Sequence, residues 1–217
     1  MFGRLLKCVY PALCRHCEAP LEESSHLLCP LCREHLVLCD PDHRCRFCFR
    51  ATQGKTICSE CIEHPFIYKR YAAALEDQGP CRTLLSEYQK NAPQLFKALG
   101  SLMAMQVLQL NWKLPDLIVP MPGSKGEVFK RGYDCHLLLA EQIGKILERP
   151  KRELLVRSFS FQMWLDETVC FQLKKRSEVC DQRLLLVIDR FEKEQVRAAC
   201  SALIEAFPLE IDVISLV

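Results

Sequence analysis

Four Cys-x-x-Cys pairs occupy the first 61 residues: Cys14/Cys17, Cys29/Cys32, Cys45/Cys48 and Cys58/Cys61. A two-residue gap lets one tight turn aim two sulfurs at one metal. Two such turns complete a tetrahedron, so four pairs supply ligands for two zinc ions. The pairs are separated by 11 residues (18–28), 12 residues (33–44) and 9 residues (49–57), lengths that suit short hairpins. Sharing a metal between neighbouring pairs closes shorter loops at lower entropic cost. An interleaved arrangement, first pair with third and second with fourth, remains open. Many ribbon knuckles carry Gly just after the second Cys; here those positions hold Glu18, Arg33, Phe49 and Ile62.

Other uses of these thiols fit less well. The chain has 15 Cys, an odd number for a disulfide framework. Arg4 and Lys7 precede only a short apolar stretch, broken by Pro11, with no small-residue cleavage site. That predicts no signal peptide and a reducing cytoplasm, where Cys pairs bind metal. A redox Cys-x-x-Cys usually occurs once, not four times. His16, His26, His35, His43 and His64 lie in the same region, but eight Cys already saturate two zincs, so these read as surface or bracing residues. Cys8, Cys39, Cys81, Cys135, Cys170, Cys180 and Cys200 stand outside the pairs and read as small buried hydrophobes. Downstream the only His is His136, beside Cys135. Adjacent residues of a helix do not face each other, so no Cys–His nucleophile is expected.

At 217 residues the chain has room for a small metal domain, 1–65, and an α/β domain, 66–217. Residues 1–65 carry 8 Lys+Arg and 8 Asp+Glu; the remainder carries 21 and 19, giving a net charge of +2. This balance leaves no strong electrostatic footprint for nucleic acid, and the clusters Lys151/Arg152 and Lys174/Lys175/Arg176 read as solvated faces. No apolar run is long enough to span a membrane. Beyond the Cys pairs no long repeat is visible.

The elements that follow alternate. Phe66–Leu75 reads as a strand, Gly79-Pro80 as a turn, and Cys81–Lys90 and Pro93–Leu110 as helices. In the second helix Leu95, Leu99, Leu102, Met103, Val107 and Leu110 suit one buried stripe. Asp116–Pro122 is an apolar strand running into a Gly123–Gly126 loop. Tyr133–Glu148 is an amphipathic helix, with Leu137, Leu138, Ile143, Ile146 and Leu147 as core candidates, and 157–176 is an excursion. Leu184–Asp189 is a buried strand, Glu192–Phe207 a helix and Ile211–Val217 a last strand. Strand–helix alternation predicts a parallel sheet covered on both faces. Its binding crevice should lie beyond the strand C-termini, near Pro122–Gly126 and Asp189–Glu194. No Gly-x-x-x-x-Gly-Lys-Ser/Thr, Gly-x-Gly-x-x-Gly or Gly-x-Ser-x-Gly motif is present, which argues against a P-loop nucleotidase, a dinucleotide enzyme or a serine hydrolase.

The order of these features resembles the ComF family of competence-related, phosphoribosyltransferase-like proteins. The carriers are the Cys-pair module, Asp116-Leu-Ile-Val-Pro-Met-Pro122, Lys130-Arg131-Gly132-Tyr133 and Leu184-Leu-Leu-Val-Ile-Asp189. Pro120, Pro122, Arg131, Gly132, Arg157, Gln162, Leu165 and Asp189 match the family's pattern. The resemblance implies a type I phosphoribosyltransferase-like parallel sheet flanked by helices, preceded by a double zinc ribbon. It implies a cytoplasmic role in DNA uptake, with single-stranded DNA or a DNA-uptake protein as partner. For an active enzyme it implies phosphoribosyl diphosphate held near Lys125, Lys130, Arg131 and Gly132, with Asp189 binding magnesium or ribose.

The family's phosphoribosyl diphosphate loop reads Asp-Asp-Val-x-Thr-Thr-Gly-x-Thr. Here Ile188 stands at the first acidic position, and the phosphate-cradling positions read Glu192-Lys-Glu-Gln-Val196. A carboxylate about 4 Å from a phosphate costs on the order of 1–4 kcal/mol per charge pair. Gly126 and Glu127 replace Arg residues after the Pro-x-Pro, and Cys135 replaces Gln. The contrast between intact Cys pairs and an altered phosphate loop favours binding over catalysis. For Arg131-Gly132 the bland reading is a helix N-terminal turn; for Asp189 it is a cap on the next helix.

Overall fold

The computed structural model describes residues 12–21, 27–52, 54, 56–63, 66–89, 95–158, 170–174 and 179–217. Arg4, Lys7, Cys8, Pro11, His26, His64, Pro93, Gln162, Leu165, Lys175 and Arg176, which figure in the sequence reading, lie outside them.

Four parallel strands form the central sheet: β1 (Arg70–Ala73), β2 (Leu117–Pro120), β5 (Arg183–Ile188) and β6 (Glu210–Ser215), in the order β1-β6-β5-β2. Every residue of β2, and all but the first of β5 and β6, is buried. Neighbouring side chains on a strand point to opposite faces, so both faces are covered, as the unbroken apolar runs predict. The flanking helices are α3 (Gly79–Gln89), α4 (Leu95–Gln109), α5 (Lys125–Arg131), α6 (Cys135–Leu147) and α7 (Lys193–Ile204). Helices α4 and α6 pack closely together. At Gly100 a Cβ would come within 2.7 Å of the Gln142 Cβ, so this crossing needs glycine. The expected excursion forms an antiparallel pair, β3 (Leu155–Ser158) and β4 (Cys170–Leu173), against which α7 packs.

Some local readings change. Gly79-Pro80 opens α3 rather than making a turn, since proline suits a helix's first turn. Ser124 to Arg131 is a capped helix, not a loop: Ser124 Oγ accepts from the Glu127 amide (3.1 Å) and donates to the Glu127 carboxylate (2.8 Å). The buried stripe of α6 is Cys135, His136, Leu139, Ala140, Ile143, Gly144 and Leu147, rotated from the expected one because His136 turns inward. In α4, Phe96, Ala104 and Gln106 join the stripe, while Leu102, and Leu110 just past the helix end, lie at its margin.

The N-terminal segment is a structural duplication that its side chains conceal. Cys14 and Cys17 recur 31 positions later as Cys45 and Cys48. Cys14 N–H bonds to Ala19 O (2.8 Å), and Cys45 N–H to Arg50 O (2.9 Å). Glu18 N–H bonds to Cys14 O (2.9 Å), and Phe49 N–H to Cys45 O (2.7 Å). Each copy ends in a one-turn helix, α1 (Pro30–Glu34) or α2 (Ser59–Glu63). Glu18 (φ 59°) and Phe49 (φ 56°) both adopt the left-handed conformation in which glycine is usual. A side chain there costs about 1–2 kcal/mol, partly offset by glycine's larger entropy loss on folding. Glu18→Gly, at an exposed site, is therefore expected to raise stability by ~0.5–1 kcal/mol in denaturant unfolding. A decrease would show that this turn carries no strain.

Both outer edges of the sheet are occupied. Beyond β1, Tyr71 N–H donates to Arg46 O (2.8 Å), Cys39 N–H donates to Ala74 O (3.0 Å), and Leu38 bridges Leu75. Arg44 pairs with Glu76, and buried Gln106 of α4 donates to Cys39 O (2.6 Å). Beyond β2, Ile118 exchanges hydrogen bonds with Pro150 and Arg152. One apolar core runs from Cys14, Leu28 and Phe49 into the sheet.

Candidate functional site

Two clusters of four cysteines form: Cys14, Cys17, Cys29 and Cys32, then Cys45, Cys48, Cys58 and Cys61. Neighbouring pairs come together, and the interleaved arrangement is not adopted. Within each cluster all four sulfurs lie within 4.8 Å of one another. Cys17 Sγ is 3.6 Å from Cys29 Sγ, and Cys48 Sγ is 3.7 Å from Cys58 Sγ. These distances exclude disulfides. They match the ~3.8 Å edge of a tetrahedron with metal–sulfur bonds of ~2.3 Å. The donor set fits a thiophilic ion in each cluster. Burial opposes ionisation of Cys14 and Cys45, but backbone N–H groups outweigh it and lower each thiol to about 6. His16 bonds Thr83 (2.9 Å) and His35 bonds Leu31 O (2.7 Å); neither these nor His43 joins a cluster.

A cavity of about 470 Å³ opens at the C-terminal ends of β2 and β5, where the parallel topology predicts a crevice. Its lining includes three arginines (Arg131, Arg157, Arg190) and four carboxylates (Glu127, Asp134, Asp189, Glu192). Each of these carboxylates has a partner within the protein. Glu127 accepts from Ser124. Asp134 caps α6 through the amides of His136 (2.9 Å) and Leu137 (3.3 Å), and its other oxygen takes the Gly123 amide (3.0 Å). Glu192 accepts from Gln195 at the start of α7, so a side-chain anion already sits at that helix N-terminus.

Asp189 is held most firmly. Its Oδ1 lies 2.9 Å from His136 Nε2 and accepts from the Arg190 amide (2.7 Å), while Oδ2 accepts from the Tyr88 hydroxyl (3.3 Å). Burial disfavours a charged His136, but the hydrogen bond and charge of Asp189, with the Asp134 charge, raise its pKa. Burial likewise works against ionised Asp189, yet His136, the Arg190 amide and Tyr88 hold its carboxyl below the usual value. The two form an internal hydrogen-bonded pair, charged when His136 is protonated. Magnesium does not fit here: both Asp189 oxygens are engaged, and the preceding residue is buried Ile188.

The other sequence candidates fall as follows. Arg131 and Gly132 end α5, with Gly132 the left-handed residue closing it (φ 81°), so they are a helix C-terminus, not an N-terminal turn. Arg131 lines the cavity but donates to Cys135 Sγ (2.8 Å). Lys125 and Lys130 are exposed on α5 and, with Gly132, do not line the cavity. Asp189 does not cap α7; the cap residue is Glu192. Cys39, Cys81, Cys135 and Cys200 are buried as expected, whereas Cys170 and Cys180 are exposed. The His136–Asp189 pair was not anticipated. One signal was available: His136 falls on the stripe of Leu139, Ala140 and Ile143, where a lone polar residue requires a partner.

No helix among the described residues is long and apolar enough to cross a membrane. Neither a protein-family model nor a curated protein matches the sequence. Two solved structures are similar to parts of it. One is glutamine phosphoribosylpyrophosphate amidotransferase from B. subtilis complexed with ADP and GMP, with a TM-score of 0.37 and 16% identity, covering 56% of this chain and 26% of that one. The other is described as the allosteric regulatory enzyme of purine biosynthesis, with a TM-score of 0.41 and 18% identity, covering 77% of this chain and 32% of that one. The chain spans about a third or less of either, and neither likeness, at these scores, decides anything about it.

Proposed function

We propose that this chain is a ComF-like zinc protein with a phosphoribosyltransferase-type α/β body, residues 66–217, that binds rather than transfers. Its N-terminal part, 1–65, holds two zinc ions, one through Cys14, Cys17, Cys29 and Cys32 and one through Cys45, Cys48, Cys58 and Cys61. Its setting is the cytoplasm, its process DNA uptake or nucleic-acid handling, and its partner single-stranded DNA or a DNA-uptake protein. The observation that carries the loss of transfer is the engagement of Asp189 by His136 and Tyr88. A group that must meet ribose or magnesium is instead spent on the protein's own histidine. The rival reading, an active phosphoribosyltransferase using phosphoribosyl diphosphate, magnesium and an unknown acceptor, draws support from the cavity's position at the strand ends.

A pair of titrations decides. Calorimetry of the zinc-loaded protein with phosphoribosyl diphosphate and magnesium is expected to show no micromolar binding. Micromolar binding abolished by Asp189→Asn would establish the enzyme reading instead. Affinity for single-stranded DNA should weaken as salt rises, because phosphate contacts release counterions. No binding at low salt rules out the nucleic-acid partner and leaves a protein.

A further inference from the structure

We propose that the two cysteine sites, though built alike, hold metal on different terms. Cys45, Cys48, Cys58 and Cys61 form a permanent structural site, whereas Cys14, Cys17, Cys29 and Cys32 form an exchangeable site that releases and reloads a thiophilic divalent ion while the α/β body stays folded. The inference rests on the zinc reading above and assigns the two ions different duties.

The duplication supplies an internal control, because the same knuckle appears once covered and once bare. In the second knuckle the α/β body ties down both carbonyls between the cysteines. Arg46 O accepts from the Tyr71 amide (2.8 Å), and Phe47 O accepts from the Tyr68 hydroxyl (2.7 Å). Phe49 is buried with its ring edge-on to Tyr71 at 6.1 Å, and Arg44 reaches Glu76. Cys45 and Cys48 can leave this metal only with the loss of these ties to β1.

Among the described residues the first knuckle has none of these ties. Arg15, His16, Cys17 and Glu18, the counterparts of Arg46 to Phe49, are all exposed. Among the described residues no hydrogen bond ends on the Arg15 or His16 carbonyl. Contacts with α3 are made at the periphery: His16 with Thr83, and Arg15 with Glu87 at 3.9 Å, the arginine side chain 58% exposed. Yet Cys14, Cys29 and Cys32 are buried in the common core. Three anchored sulfurs keep the site in place, and the exposed fourth can be displaced from solvent by a competing ligand. Cys48, the counterpart of Cys17, is half-buried. The exposed Cys17 turn, with few buried contacts of its own, opens at lower free energy than a turn tied to the sheet. Site one would thereby respond to zinc supply without costing the chain its fold.

The test starts from zinc-loaded full-length protein, its metal content measured by elemental analysis, then mixed with a chromogenic zinc chelator. The expected result is two phases of one equivalent each, the first at least about tenfold faster, which corresponds to ~1.4 kcal/mol. The far-UV spectrum should be retained through the first phase. Cys17→Ser should remove the fast phase and leave the slow one. A single phase carrying both equivalents overturns the inference alone, as does a fast phase that survives Cys17→Ser. A zinc content near zero after loading overturns the zinc reading, and this inference with it.

Discussion

Cys45→Ser is expected to lower the stability of the whole chain by more than ~4 kcal/mol, in the range reserved for loss of a bound metal or a comparable core defect. The size follows from what the residue joins. Cys45 is fully buried, and its sulfur also accepts the Cys58 amide (3.4 Å). Structural zinc contributes on the order of 10 kcal/mol to folding of isolated zinc peptides, and that binding energy is folding energy. Without the ion, the second knuckle loses its hold on β1: the Tyr71 amide, the Tyr68 hydroxyl and the burial of Phe49 all go. Burial of one such aromatic side chain alone is worth ~1.5–3 kcal/mol. Cys180→Ser, at an exposed thiol outside both clusters, should stay within ~0.5 kcal/mol and serves as the control. Denaturant unfolding with elemental analysis reads both. A Cys45→Ser protein that keeps two zincs and loses under ~1 kcal/mol would remove this cysteine from the ligand set.

Asp189→Asn is expected to cost roughly 2–4 kcal/mol. Breaking a buried ion pair by removing one charge costs about 3–5 kcal/mol; Asp189 falls lower because its side chain keeps 31% exposure. The effect should depend on pH in a defined direction. His136 has a raised pKa in the fold, so its contribution is complete below its ordinary 6.5 and fades as pH rises through the folded value. Asp189 has a lowered one, so its contribution is complete above 3.8 and fades as pH falls through the folded value. The wild-type advantage over Asp189→Asn should therefore peak between those limits and shrink at alkaline pH. NMR titration of His136 Cε1–H gives the second readout: its pKa should fall in Asp189→Asn. An unchanged histidine titration and a flat difference in stability would show that the pair is not ionised.

Local patterns revealed what local physics determines. The runs at Leu117–Pro120, Arg183–Ile188 and Glu210–Ser215 announced buried parallel strands, because covered strands need apolar residues on both sides. Cysteine spacing and loop entropy together indicated which pairs meet. The missed features depend on residues distant in sequence. His136 and Asp189 are 53 positions apart, and nothing near either names the other. Arg131, at the end of α5, donates to Cys135 Sγ at the start of α6, across a break that neither helix pattern specifies. The duplication was hidden because its signature is backbone conformation: Glu18 and Phe49 share one φ region but no side-chain chemistry. The capping pair Ser124 and Glu127 is a local signal in the sequence and marks the start of α5.

The covered flank of β1 has a consequence for solubility. A sheet's outermost strand offers unpaired amides and carbonyls to any other chain that approaches, and this route leads to aggregation. Here the segment Tyr71-Ala-Ala-Ala-Leu75 is apolar and would make an adhesive border if it stood open. The cysteine-rich segment closes it through Arg46, Leu38 and Cys39. With that segment in place, the border of β1 is withheld from other copies of the chain.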